Sequence, residues 1–146
     1  MIKKIFEPGT SPFEERIAAA RKVAQAGYPL GFIIAPIYRH DEWVEGYHEL
    51  FQRLHASLKD LELPNLSFEM IQHRFTKPAK KRSFSSATRT RSLKWMKKRE
   101  KYKWGRYGIG KYVYPTDEAA ELEETIRSYI AEYFSTGGNS IFYVRT

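Results

Sequence analysis

Pro29-Leu-Gly-Phe-Ile-Ile-Ala-Pro-Ile-Tyr38 is a near-continuous apolar run. A strand with one wet face alternates polar and apolar residues, so an uninterrupted run predicts burial on both faces. That is the habit of a strand in a parallel sheet covered by helices. Pro36 cannot donate to a central ladder and is expected to mark the strand's carboxyl end. Upstream, Met1–Phe6 reads as the tail of a strand, and Glu7-Pro-Gly-Thr-Ser-Pro12 as a turn cluster. Thr10 or Ser11 is placed to N-cap a helix over Phe13–Ala26, with Pro12 in its first turn and Glu14 and Glu15 against the positive dipole end. Ile17, Ala20 and Ala24 form its apolar stripe, and Gly27 is placed to stop it. Downstream, Val44, Tyr47, Leu50, Phe51, Leu54 and Leu58 recur at helical spacing through Glu42–Leu61. Leu66–Phe75 then alternates into a second buried strand. Helix, strand, helix, strand in this order is the α/β class.

The alternation fails after residue 75. Residues 76–101 form a Ser/Thr/Lys/Arg-rich connection in which Arg91–Lys103 could make a basic helix with a thin apolar face. Tyr102-Lys-Trp-Gly-Arg-Tyr-Gly-Ile-Gly-Lys-Tyr-Val-Tyr114 places strand-formers on both sides of a glycine-spaced tip, which predicts a β-hairpin. Pro115-Thr-Asp117 caps an amphipathic helix carrying Ala119, Leu122, Ile126, Tyr129, Ile130 and Tyr133 on one face, and Ser140–Val144 makes a last strand. The chain therefore divides into an α/β portion (1–75), a basic connection (76–101), a hairpin (102–114) and a C-terminal helix with its strand (115–146).

The formal net charge of +8 is concentrated: residues 74–111 hold fifteen Lys/Arg and one acid, Glu100. Such a block repels itself unless an anion neutralises it, and a phosphate backbone is the commonest partner, with acidic lipid second. No apolar stretch is long enough to span a membrane, and no signal-peptide pattern opens the chain. The 146 residues include no cysteine, which excludes disulfides, thiolate zinc sites and any iron–sulfur cluster held by this chain's own thiolates.

Ligands of parallel α/β sheets sit beyond the carboxyl ends of the strands. Here those ends are Ala35-Pro-Ile-Tyr-Arg-His40 and Gln72-His-Arg-Phe75, both polar directly after an apolar strand. His48 and His55, seven apart on one helix, are too distant to share a metal and are expected at the solvent edge; His40 and His73 sit at neighbouring strand ends. Without cysteine or suitably spaced carboxylates no metal site is expected. Neither a Gly-x-Ser-x-Gly elbow nor a Walker loop is present. The residues thus describe a nucleic-acid-binding α/β segment with no self-sufficient catalytic group. Lys77, Lys80 and Lys81 would touch phosphates, Arg106 and Tyr107 would insert beside unstacked bases, and Trp104 would be a stacking platform. A surface hairpin over a small core, with Trp104 as its anchor, is the alternative.

Gln72-His-Arg-Phe-Thr-Lys-Pro-Ala-Lys80 and Lys103-Trp-Gly-Arg-Tyr-Gly-Ile-Gly-Lys-Tyr112 resemble the spore photoproduct lyase family. So do Phe6-Glu-Pro-Gly-Thr-Ser-Pro12, Ala26-Gly-Tyr-Pro-Leu-Gly-Phe-Ile33 and Ala35-Pro-Ile-Tyr38, in the family's order; Lys81–Lys101 and the last dozen residues depart from it. The resemblance implies a radical S-adenosylmethionine enzyme on a partial (β/α) barrel that repairs the thymine dimer of irradiated spore DNA. Its Cys-x-x-x-Cys-x-x-Cys motif for a [4Fe-4S] cluster, its hydrogen-donating cysteine and its partner tyrosines belong to an N-terminal half not matched here. By the resemblance, this chain is the C-terminal part of that barrel plus a DNA-facing hairpin.

In that family the hairpin wedges beside the lesion through an Arg-Tyr pair matching Arg106 and Tyr107, and Lys111 matches a lysine near it. Ala35 matches a position beside the adenosyl group, and Gln72, His73 and Arg74 would face the same cavity. S-adenosylmethionine and [4Fe-4S] are the implied cofactors, damaged DNA and a missing N-terminal half or separate subunit the implied partners, and the bacterial cytoplasm or spore core the implied location. With no catalytic residue of its own, the isolated chain is expected to be inactive as a lyase. A non-catalytic DNA-binding module that lost the cluster-binding half is the competing expectation.

Overall fold

The computed structural model of the chain describes residues 9–79, 101–104, 108–134 and the backbone of 141–145. The expected strand tail at Met1–Phe6, the basic connection from Lys80 to Glu100 and the hairpin tip Gly105–Tyr107 lie outside these residues. The described elements are α1 (Phe13–Gln25), β1 (Gly31–Ile37), α2 (Trp43–Leu58), β2 (Ser67–Gln72), β3 (Phe75–Thr76), β4 (Lys101–Trp104), β5 (Gly110–Val113), α3 (Thr116–Phe134) and β6 (Ile141–Arg145).

Two small sheets result. One is parallel, in the order β1-β2-β6, and the other antiparallel, in the order β3-β5-β4. The α/β expectation therefore holds, and the last strand, though distant in sequence, pairs with the central strand β2. Leu66–Phe75 is not one strand. The chain leaves the parallel sheet after Gln72 and joins the hairpin sheet at Phe75, so the hairpin has a third strand. Lys101–Trp104 is strand rather than the end of a basic helix, because Tyr102 and Trp104 find cross-strand partners in β5.

Period-2 alternation sends Phe68, Met70 and Gln72 to one side of β2. The core forms there, from Phe51, Leu54 and Leu58 of α2, Leu122, Ile126 and Ile130 of α3, and Leu30, Ile37, Leu66, Phe68 and Met70. Ile17, Ala20 and Ala24 of α1 pack against it. Burying Phe51 or Phe68, both with no exposed surface, contributes about 2–3 kcal/mol each before entropy is counted.

Expected burial of β1 on both faces is corrected. Phe32 and Ile34 face the helices, whereas Gly31, Ile33 and Ala35 are exposed, Ile33 by 69%. The core residues of α2 and α3 lie on the Phe32–Ile34 side, so among the described residues the Gly31, Ile33 and Ala35 side of β1 is the open one. Pro36 lies inside β1 rather than at its end, beside a register irregularity between Ile34 and Ile37. An edge strand tolerates the missing donor that a central ladder would not.

The helix ends also differ from expectation. Pro12 occupies the N-cap of α1, and no side chain caps it. Instead Arg16 reaches back to Ser11 O (3.1 Å) and Thr10 Oγ1 (3.3 Å). Gly27 stops α1 as expected, at φ +80°, with its N–H on Ala24 O and that of Tyr28 on Val23 O. In α2 it is Trp43, not Val44, that is buried. His48 and His55 are half-buried in the seam between α2 and α3 rather than at the solvent edge. His48 Nε2 lies 2.8 Å from Tyr133 Oη, and both imidazoles pack on the Tyr133 ring.

Candidate functional site

The carboxyl ends of β1 and β2 converge where the chain passes from one sheet to the other. His73 is the pivot. Its N–H donates to Ile37 O (3.1 Å), and its ring lies between Tyr38 (4.7 Å) and Phe75 (5.3 Å). Burial pushes the imidazole down to about 4, so it is neutral at physiological pH, and among the described residues its Nε2 has no hydrogen-bond partner. His40 is used differently: its Nδ1 meets the carbonyl of Asp41, and its ring borders Gly46. Among the described residues no group of His, Asp or Glu could hold a metal ion.

Gln72, expected to face a ligand cavity, does not. Alternation turns it to the helix side, where it is buried and its Nε2 donates to Ala119 O of α3 (2.7 Å). Ala35 does lie on the uncovered face, with Gly31 and Ile33. Glu69, missed from the sequence, pairs in register with Ile33 on that face. A carboxylate inside the apolar run Leu66–Ile71 was the signal available for it.

Two further residues brace this region. The Arg39 guanidinium pairs with Glu118 (3.2 Å) and Glu121 (2.7 Å) and lies 5.9 Å over the Trp43 ring. Its backbone N–H donates to Tyr114 Oη (2.9 Å). The end of β1, the start of α3 and the exit of the hairpin are thus tied at one point.

Alternation along β4 and β5 divides the hairpin into an aromatic and a cationic face. Phe75, Tyr112 and Tyr102 are cross-strand partners on the first, and Trp104 pairs with Gly110 there. Their rings continue the His73 stack: Phe75–Tyr112 at 5.3 Å, Tyr112–Tyr102 at 5.2 Å and Tyr102–Trp104 at 5.5 Å. An unbroken series of ring contacts therefore runs from Tyr38 at the end of β1 to Trp104 beside the hairpin tip. Lys77 Nζ sits 4.6 Å over Tyr102. Trp104 is 70% exposed, so it is no core anchor, and Ile109 is exposed as well. Lys101, Lys103 and Lys111 occupy the other face. Arg74 is half-buried between the sheets, and Arg106 and Tyr107 lie outside the described residues.

A protein-family model described as spore photoproduct lyase matches residues 1–144. The chain belongs to the spore photoproduct lyase family. It is 61% identical over 129 residues to the spore photoproduct lyase of Geobacillus sp. (strain Y412MC61), covering 88% of this chain and 38% of that protein. The Bacillus subtilis (strain 168) enzyme is 54% identical over 131 residues, covering 90% and 38%. The chain thus spans less than two-fifths of these relatives and corresponds to a C-terminal portion of a spore photoproduct lyase. Its fold matches a spore photoproduct lyase complexed with dinucleoside spore photoproduct at TM-score 0.86 and 55% identity, over 97% of this chain and 41% of that one. A spore photoproduct lyase mutant with bound AdoMet and the same dinucleoside matches at 0.85 and 56%, over 98% and 40%.

His73 makes stability depend on pH in a defined window. Its folded-state value near 4 lies below the ordinary 6.5, so the unfolded chain binds the proton first, and folding loses free energy as pH falls from 6.5 to 4. The expected loss is about 2–3 kcal/mol. It is read as the difference in denaturant midpoint between pH 7 and pH 4 for the natural chain and for His73→Phe. Identical pH profiles for the two would show that His73 does not carry it.

Proposed function

We propose that this chain is the DNA-presenting portion of a spore photoproduct lyase. It binds ultraviolet-damaged DNA through its hairpin and lends the ends of β1 and β2 to a cavity shared by S-adenosylmethionine and the lesion. The reaction served is radical cleavage of the 5-thyminyl-5,6-dihydrothymine dimer, in a bacterial cytoplasm or spore core. The carrying observation is the series of ring contacts joining the strand ends to an exposed Trp104 on a cationic hairpin, in a member of this family.

In this reading Trp104 stacks on bases, and Lys77, Arg74 and Lys111 meet phosphate or lesion, with Arg106 and Tyr107 wedged beside the dimer. Ala35 and His73 would border the cofactor. The small side chain of Ala35 leaves its face of the sheet open, and the unpartnered His73 Nε2 offers one polar contact. A [4Fe-4S] cluster does not fit this chain, which has no thiolate. The cluster and the chemistry it starts would belong to the remainder of the family fold, which this sequence does not cover. The same lack of cysteine favours one second reading, a DNA-binding module without catalysis.

The test is binding to a duplex carrying one spore photoproduct and to its undamaged twin. Arg106→Ala should cost the damaged duplex roughly tenfold in affinity, the scale of one lost contact, and the undamaged one much less. Equal losses would leave Arg106 an ordinary phosphate contact. Repair of the lesion by the purified chain alone would overturn the assignment of the radical chemistry to the part of the family fold outside this sequence.

A further inference from the structure

Lys103 of β4 stands directly opposite Lys111 of β5, and Lys101 lies two residues back on the same face. Directly opposed residues in an antiparallel pair bring their Cβ atoms to about 5 Å, where two like charges weaken the sheet. Lys101 and Lys103 are exposed, and Lys111 is half-buried in the middle strand between Lys103 and Thr76. Among the described residues no acidic side chain pairs with any of the three. The rings of the hairpin are on its other face. A hairpin that needed these positions only for folding would be better served by threonine or by one acid opposite one lysine.

We propose that Lys101, Lys103 and Lys111 form a seat for a phosphodiester of nucleic acid, on the face of the hairpin opposite its rings. The proposal rests on the DNA-binding reading above and adds a division within it. One face stacks on bases, while the other holds the backbone and repays the repulsion built into the empty sheet. An anion between Lys103 and Lys111 turns a repulsive pair into two attractive contacts, so the seat costs stability when empty and contributes affinity when filled.

The experiment compares the natural chain with Lys103→Thr, Lys103→Glu and, as a control on α1, Lys22→Glu. Each is measured for thermal unfolding without ligand and for the salt dependence of binding to an undamaged duplex. Lys103→Thr should raise the melting temperature by about 1–2 °C. It should weaken binding about five- to tenfold at low salt and make the slope of log K against log salt shallower by about one. Lys103→Glu, which faces Lys111 with an opposite charge, should move both quantities further in the same directions, and Lys22→Glu should leave the salt slope unchanged.

A higher melting temperature with unaltered affinity and slope would overturn the seat and leave the DNA reading standing. A lower melting temperature together with weaker binding would also overturn it, by making Lys103 a structural residue. Loss of binding to vesicles of anionic phospholipid, with DNA binding intact, would reassign the face to a membrane surface. No binding of the natural chain to duplex would remove the DNA reading and the seat together.

Discussion

Gly110→Ala is expected to disconnect the hairpin from the rest of the molecule. A Cβ at this position would lie 1.9 Å from Tyr102 Oη and 2.1 Å from Cζ, on the phenol end of the ring. Tyr102 has little room to yield, because Tyr112, Trp104 and Lys77 all pack on it. Overpacking of this kind costs about 1–3 kcal/mol, a large share of what three short strands can hold. Displacing Tyr102 also breaks the series of ring contacts between Phe75 and Trp104. Duplex binding should fall at least about tenfold, the equivalent of 1.4 kcal/mol, while the parallel sheet stays folded. Tyr102→Ala added to Gly110→Ala removes the clash, so the double variant should regain hairpin order but not the affinity that the ring supplies. Unaltered DNA binding by Gly110→Ala would show that the ring contacts do not position the hairpin.

The second large effect is expected at Arg39. The pair with Glu118 leaves only 21% and 14% of the two side chains exposed. Arg39→Met would remove the guanidinium that offsets the Glu118 carboxylate in a place that water reaches poorly. Removing one partner of a buried pair costs about 3–5 kcal/mol, and the residual exposure here brings the expectation to about 2–3 kcal/mol. Arg39→Met combined with Glu118→Gln should recover most of it, because the charge that remains, Glu121, is half exposed to water. Denaturant midpoints of the two single variants and the double variant give the coupling directly. Equal and additive losses would mean that the two side chains act independently. Since the Arg39 backbone also holds Tyr114, the single variant should loosen the hairpin exit, visible as faster amide exchange at Lys111–Tyr114.

Much of the fold was legible because its signals are local. Helical spacing of Phe51, Leu54 and Leu58, and of Leu122, Ile126 and Ile130, found the two helices that build the core. Gly27 marked the end of α1 because few other residues adopt its φ, and the glycine-spaced stretch marked the hairpin. The apolar run at Gly31–Ile37 predicts the strand correctly but burial on one face too many. Apolar residues are demanded equally by a covering helix and by any other covering surface, and the sequence does not say which face has which. Gln72 departs from its expected place for a related reason. Its position after an apolar strand is the same whether it faces a ligand or caps a helix backbone, and only alternation against the packed core separates the two.

Sequence alone determined the chemistry that this chain can and cannot supply. Fifteen basic residues against one acid between Arg74 and Lys111 call for a polyanion, and the lack of cysteine removes the cluster from its own side chains. Those properties depend on residue types and survive any folding. Tertiary structure decided which of the residues act together. Tyr38, His73, Phe75, Tyr112, Tyr102 and Trp104 are scattered over 75 positions, from Tyr38 to Tyr112 counted inclusively. They become one line of rings only because the chain crosses from the parallel sheet to the hairpin sheet after Gln72. Lys103 and Lys111 likewise are eight residues apart in sequence and opposite each other in the sheet, a register that the turn and the pairing of β4 with β5 set.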